Sequence, residues 1–367
     1  MMNPATGSDP VHPPALSRRG LSGRWLLLLA ALLGIGAAGA LAQAPGSAAM
    51  AEQDLAALRA QYRRPDRIPF PATNPYSDAK ARLGEVLFFD PRLSGSNTVS
   101  CASCHNPSLG WEDGLATGRG EAANRLDRAT PTILNIAWAE PLMWDGRKDT
   151  LEDQALGPIE AGVEMNQPLP ELLAELSAIP GYRRLFREAY GQDTITGEGL
   201  SQALATFQRT IVSNLSPFDR WVAGEAGAID AAAQRGFVLF NGRANCAACH
   251  SGWRFTDDSF HDIGLRSTDI GRGAQVPDVV PMQHAFKTPT LRNVAERLPY
   301  MHDGSARSLR EAVLHYDTGF IDRPSLSAEV RRLNLSARET DDLVAFLRSL
   351  SSVDDPMPLP PLPVEEN

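Results

Sequence analysis

The sequence predicts a mainly α-helical protein of two related units. Three observations lead there. Apolar residues recur at helical spacing in the longer segments, strand-like alternation is nearly absent, and one short block occurs twice. The block is "GEVLF" (Gly84 to Phe88) followed by Cys101, Cys104 and His105, then "GFVLF" (Gly236 to Phe240) followed by Cys246, Cys249 and His250. A chain of 367 residues has length for about two domains. The join is expected near 215–230.

The elements follow in order. Residues 1–42 read as an export signal. Arg18, Arg19 and Arg24 precede the apolar run "WLLLLAALLGIGAAGALA", and Ala40 and Ala42 give an Ala-x-Ala cleavage pattern before Gln43. The run is short for a spanning helix, so a cleaved periplasmic protein is expected over a retained membrane anchor. Residues 43–75 form a flexible lead-in, within which "AEQDLAALRAQYRRP" has helical spacing and stops before Pro65. The first unit is expected over 76–218. Its opening helix ends at Asp90-Pro91, Thr150 and Asp153 have the spacing of a capping box, and Leu200, Leu204, Phe207 and Ile211 share one helical face. The second unit is expected over 219–352. Ser308 with Glu311, and Ser336 with Glu339, repeat the capping device, and Gly319 suits a helix end. Residues 353–367, "VDDPMPLPPLPVEEN", form an extended proline-rich tail.

The formal charge is −9; loss of three arginines and Asp9 with the leader takes it to −11. This excludes nucleic acid as a partner and favours solubility.

All four cysteines lie in the two Cys-x-x-Cys-His motifs. Such pairs can bind zinc, act as a redox dithiol or, with histidine directly following, attach c-type haem. The histidine discriminates. Two thiols three positions apart reach the two vinyl groups on one porphyrin edge, and the adjacent histidine lies under the ring to ligate iron. Each unit is therefore read as cytochrome c-like, with one covalent haem c. His105 and His250 are the proximal ligands, and Cys101, Cys104, Cys246 and Cys249 the attachment points. A Trp and acidic residues follow each motif: Trp111 and Asp113, then Trp253 and Asp257.

Function turns on the sixth position of each iron. No spare histidine lies between the two motifs, so the first iron reads as open. Met143 and Met165 are the remaining candidates there, and Met165 reads as a core residue. After His250 the candidates are Met282, His284, Met301, His302, His315 and Tyr316, with Met301 a reasonable choice by spacing.

The segments "LSGSNTVSCASCHNPSLGWEDG", "TPTILNIAWAEPLMWDGRKDTLEDQALGPIEAGVEMN" and "FKTPTLRNVAERLPYMHDGSARSLREAVLHYDTG" resemble the bacterial di-haem cytochrome c peroxidases and their MauG-type relatives, from about Ala79 to Leu350. The resemblance implies roles. Glu164 matches the distal acid of the peroxidatic haem, Gln154 the neighbouring amide, Pro158 a pocket-wall proline, and Trp144 a relay between the haems. It places the second iron's sixth ligand at Tyr316, where peroxidases usually carry Met; Leu309, Val313 and Tyr316 share a helical face. A phenolate favours ferric iron, whereas a thioether favours ferrous. The gating histidine of many peroxidases is missing from 106–143, which implies reaction with peroxide without prior reduction.

Two departures stand out. The surface Trp of the quinone-forming relative is Ala244 here, and Trp221 and Trp253 need not replace it. The family's calcium would draw carbonyls from Arg297 and Pro299, but the matching Asn is Ala129. The resulting reading is an exported di-haem peroxidase that reduces hydrogen peroxide at the first haem, with electrons relayed through the second from a small cytochrome c or cupredoxin. The alternatives are MauG-like oxidation of a protein or organic substrate, and a non-enzymatic electron carrier. The sequence leaves room for a homodimer.

Overall fold

The computed structural model describes residues 52–364. The expected leader lies outside the described residues. The helices are α1 Glu52–Ala60, α2 Asp78–Phe89, α3 Cys101–Cys104, α4 Leu151–Glu160, α5 Leu169–Ala178, α6 Pro180–Tyr190, α7 Gly197–Thr210, α8 Pro217–Val222, α9 Ala231–Asn241, α10 Leu309–Leu314 and α11 Ala337–Arg348. Among the described residues, strand structure is limited to β1 Phe260–His261 and β2 Phe286–Lys287, which pair antiparallel. The mainly helical class is as the sequence predicts. No described helix is long and apolar enough to cross a membrane.

The caps form, with variations. Ser336 and Glu339 close a reciprocal box on α11. Thr150 accepts the Asp153 N–H, but the Asp153 carboxylate turns to Lys148 Nζ at 2.8 Å. Ser308 accepts the Glu311 N–H, while the Glu311 carboxylate takes the Arg307 N–H at 2.7 Å. After α10 the chain widens into a π-helical turn over His315–Gly319. Such turns cluster at functional sites.

Each unit is built on one crossed helix pair: α2 on α7, and α9 on α11. The glycines of the repeated blocks sit at the crossings. A Cβ on Gly84 would lie 2.0 Å from the Ala203 carbonyl oxygen and 2.8 Å from Phe207 Cβ. On Gly236 it would lie 2.0 Å from the Asp342 oxygen and 2.7 Å from Phe346 Cβ. Only glycine lets the backbones approach this far. Leu83, Leu87, Phe88, Leu204 and Phe207 fill the first core. Phe237, Phe240, Phe255, Leu343 and Phe346 fill the second, with Phe240 and Phe346 centroids 5.0 Å apart.

The repeat runs well beyond these blocks. Thr130-Pro131-Thr132 and Asn135 correspond to Thr288-Pro289-Thr290 and Asn293; Met143-Trp144-Asp145-Gly146 corresponds to Met301-His302-Asp303-Gly304. Both asparagines are left-handed, at φ 60° and 54°. Asn135 N–H donates to the Ile211 carbonyl and Asn293 N–H to that of Leu350, tying each loop to the end of α7 or α11. The halves also meet reciprocally. Lys287 N–H donates to the Trp144 carbonyl at 2.8 Å, and Ala129 N–H to the His302 carbonyl at 2.7 Å. Ala129 and Lys287 are themselves repeat mates, so a pseudo-two-fold axis passes between Trp144 and His302.

α8 carries Phe218 and Trp221 into the second core, at the early edge of the 215–230 stretch where the join is expected. One boundary differs from expectation. The stretch read as a flexible lead-in is packed: Tyr62 is 2% exposed in the second core, with Leu55 and Leu58 of α1 against it. The tail is irregular as expected, but it crosses the other way. Met357 and Leu362 pack on the first core, and Asp354 ties to Asn214 N and Asn293 Nδ2, each at 2.8 Å.

Candidate functional site

Both motifs open onto one cavity of about 1230 Å³. That exceeds an ordinary small-molecule pocket and suits two large planar groups. The first motif is the short helix α3, closed by reciprocal Ser100–Ser103 bonds; the second is a single turn entered through left-handed Asn245. All four thiols are unbridged. Burial pushes Cys101 and Cys246 up to about 12 and Cys104 up to about 11. A redox dithiol needs a lowered pKa, so these neutral thiols are the wrong chemistry for it. Nor is there a four-cysteine cluster among the described residues; the one group close enough to hold an ion is Cys249, Asp257 and His261.

The two histidines are prepared alike. His105 Nδ1 lies 3.2 Å from the Trp111 carbonyl, and His250 Nδ1 lies 2.9 Å from that of Phe255. A carbonyl only accepts, so each Nδ1 carries the proton and each Nε2 keeps its lone pair. Burial lowers both pKa values and holds the rings neutral, the ligating form. Trp111 and Phe255 are both left-handed, at φ 63° and 56°. Phe255 is therefore the mate of Trp111, which corrects the pairing with Trp253; Asp113 and Asp257 do correspond. Thiols placed for attachment, with a neutral Nε2 beside each pair, fit haem c in both units.

The opposite walls differ. Thr150 and Ser308 start equivalent helices, and eight residues on stand Pro158 and Tyr316. Both line the cavity. Proline offers no ligand atom. The Tyr316 hydroxyl faces Cys246 and Cys249 with no hydrogen-bond partner among the described residues, and burial raises its pKa. Leu309 and Val313 line the cavity beside it, as their spacing predicts. His315 points away, donating from Nε2 to the Ile263 carbonyl at 2.8 Å. Met143 and Met301 occupy the same left-handed position in each half and do not distinguish them. Met165 is 4% exposed in the first core.

Gln154 lies one turn before Pro158 on α4 and lines the same wall. Glu164 joins them from the turn after α4. Its N–H donates to the Ala161 carbonyl at 2.9 Å, and its carbonyl accepts the Glu121 N–H at 2.6 Å. Burial raises the Glu164 pKa, and the Arg147 guanidinium pulls it partly back.

In the middle, Trp144 Nε1 donates to the Ala129 carbonyl at 2.8 Å. Its ring meets His302 edge-on at 6.4 Å, and His302 stacks on Phe286 at 3.6 Å. Burial depresses His302 to about 4, so it is neutral. The sequence reading missed this aromatic bridge. Aligning the two Thr-Pro-Thr segments would have placed His302 opposite Trp144.

Ala244 is buried. Trp221 and Trp253 each carry an arginine over a ring face, Arg59 at 4.7 Å and Arg64 at 5.3 Å. A cation there disfavours a hole on the indole. Of the residues read as a calcium site, Ala129 brings no side-chain oxygen and its carbonyl already accepts from Trp144, while Arg297 and Pro299 offer only main-chain carbonyls. Calcium takes six to eight oxygens.

Fold and site define a class: a helical protein of two cytochrome c-like units that share one cavity, each with a haem c attachment motif. The chain belongs to the di-haem cytochrome c peroxidase family. That family's pattern matches residues 78–227, and the cytochrome c pattern matches 233–351. The methylamine utilization protein MauG of Methylorubrum extorquens is 52% identical over 323 residues, covering 87% of this chain and 92% of its own. The cytochrome-c peroxidase IdrP1 of Denitromonas iodatirespirans is 36% identical, covering 78% and 85%. A crystal structure of a MauG-like protein associated with microbial copper homeostasis superposes with TM-score 0.73 at 31% identity, covering 78% and 94%.

Proposed function

We propose that this chain is an exported, peroxide-consuming oxidoreductase. Its first unit takes the oxidant, and its second unit draws electrons from an oxidisable protein or organic molecule. The observation that carries the reading is Pro158 at the place in the repeat where the second unit has Tyr316: one cavity wall offers no ligand atom there and the other offers a phenol.

Bound haem c supplies the iron at which peroxide is held and its O–O bond is broken. His105 Nε2 and His250 Nε2 would hold the two irons, and Tyr316 would be a further ligand to the second. Pro158 keeps a ligand off the first. The Glu164 carboxylate takes the proton from one peroxide oxygen and returns it to the other, so that water leaves. Its raised pKa makes it a better base than a solvated glutamate. The Gln154 amide orients the oxidant by hydrogen bonding. Each peroxide accepts two electrons and two protons and leaves as two waters; the substrate loses the same two electrons. Trp144 and neutral His302, in edge contact on the pseudo-axis, form the path for charge between the units.

The similarity to MauG and the phenol at 316 favour a protein or organic substrate over a high-potential donor. Buried Ala244, and the arginines on Trp221 and Trp253, favour a second reading: peroxide reduction with electrons from a small cytochrome c or cupredoxin. Mixing the ferric protein with one equivalent of peroxide, followed by optical and spin-resonance spectra, tests the shared chemistry. Reaction without prior reduction is expected, and an inert ferric protein overturns both readings. Rapid steady-state oxidation of reduced cytochrome c would select the second. Tyr316→Phe is expected to change the spectrum and potential of the second haem; an unchanged spectrum removes Tyr316 as its ligand.

A further inference from the structure

His261 ends β1, and its Nε2 lies 2.8 Å from Asp257 Oδ2. A ring nitrogen of His261, a carboxylate oxygen of Asp257 and Cys249 Sγ all lie within 4.8 Å of one another. His261 also lines the cavity into which Cys249 opens. Once Cys249 is joined to the porphyrin, its sulfur stands two bonds from the conjugated ring. The pair therefore abuts the thioether edge of the second haem.

The surroundings leave His261 to Asp257 alone. Lys287 on β2 spends its ammonium on Asp258 at 2.7 Å, and Arg254 pairs with the same Asp258. The other ring nitrogen of His261 has only Ser327 Oγ, at 3.4 Å. The Asp257 carboxylate, the largest influence and one that remains once Cys249 is a thioether, raises the His261 pKa. The first unit keeps the turn and lacks the histidine. Asp113, the mate of Asp257, accepts Leu115 N–H at 2.9 Å just as Asp257 accepts Ser259 N–H at 2.9 Å, and it also accepts from Thr130 Oγ1 at 2.7 Å. The register of His261 is held there by Thr117, which accepts from Arg125 Nε at 2.8 Å.

We propose that the His261–Asp257 ion pair sets the charge at the edge of the second haem, and so governs how oxidising equivalents divide between the two haems. His261 acts through the haem as a positioning residue, not as a catalytic one. A cation at a haem edge favours the ferrous state and a carboxylate the ferric, because each acts directly on the electron gained. The intact pair is neutral; either partner alone is not. The inference rests on haem attachment and not on the peroxide chemistry, so the two can fail separately.

The test is a spectroelectrochemical titration of the full-length di-haem protein at pH 5, far enough below the ordinary histidine value that His261 keeps its proton without its partner despite the lowering that burial causes. Mass and absorption spectra establish that both haems are attached. His261→Gln leaves Asp257 unbalanced, and the midpoint potential of the second haem is expected to fall. Asp257→Asn leaves the cation unbalanced, and the potential is expected to rise. Opposite shifts support the proposal. Shifts in the same direction, as lost packing would give, or no shift in either variant, overturn it.

Discussion

At one point in the repeat the first unit presents Pro158 and the second Tyr316. At others it presents Leu142 against Tyr300, Leu134 against Arg292, and Trp144 against His302. What the halves keep in common is of another kind: Gly84 and Gly236 at the helix crossings, and the left-handed Asn135 and Asn293. The asparagine carboxamides each accept a main-chain N–H, from Ser213 at 3.1 Å and Ser352 at 3.0 Å. The shared residues answer to the backbone; of the differing ones, Pro158, Tyr316, Leu142, Tyr300, Leu134, Trp144 and His302 line the cavity, while Arg292 is buried against Asp219. On the function proposed above, a single scaffold serves two opposed tasks: the wall with Pro158 offers no ligand atom and the wall with Tyr316 offers a phenol.

The comparison can be broken most severely by making the halves alike. Pro158→Tyr is expected to give the first iron a phenolate, turn both haems six-coordinate and abolish reaction with peroxide, as read by spectra of the ferric protein. A variant that still reacts shows that the proline is not what keeps the position free. Glu164→Gln retains the shape but loses the base; stopped-flow mixing should show peroxide consumption slower by about a hundred- to ten-thousand-fold. Gly84→Ala and Gly236→Ala probe what the halves share. Each drives a methyl into a carbonyl of the facing helix, so each should lower unfolding stability by about 1–3 kcal/mol, and to a similar degree. A large difference between them would show the crossings to be less equivalent than the geometry indicates. The smallest effect concerns pH. Glu164 must be ionised to act, and burial raises its pKa, so the rate should fall as pH drops through that raised value. Arg147 holds the value down, and Arg147→Gln should therefore move the acid limb of the pH–rate profile to higher pH.

The helical class, the paired haem motifs and the inward face of Leu309, Val313 and Tyr316 were legible because each is a local pattern. The site residues Gln154, Glu164 and Trp144 were reached only through resemblance; nothing in the local sequence marks a lone glutamate four residues past a helix. Trp253 misled because the loop from His250 to its carbonyl partner is one residue shorter than the loop from His105. The long Thr-Pro-Thr repeat was readable but obscured, since its conserved positions satisfy main-chain geometry while the conspicuous side chains differ. The packing of Tyr62 and of Met357 could not be read at all. Each is an apolar residue in a polar or proline-rich stretch, and its partners lie in a distant part of the sequence.

The crossing of the two chain ends bears on how the molecule is made. The first core is completed by Met357 and Leu362, which follow the second half in sequence, and the second core by residues 55–62, which precede the first. A cut near residue 215 would leave either fragment with a gap in its interior. Neither half thus closes on its own residues alone: each core is finished by a segment that lies beyond the other half in sequence.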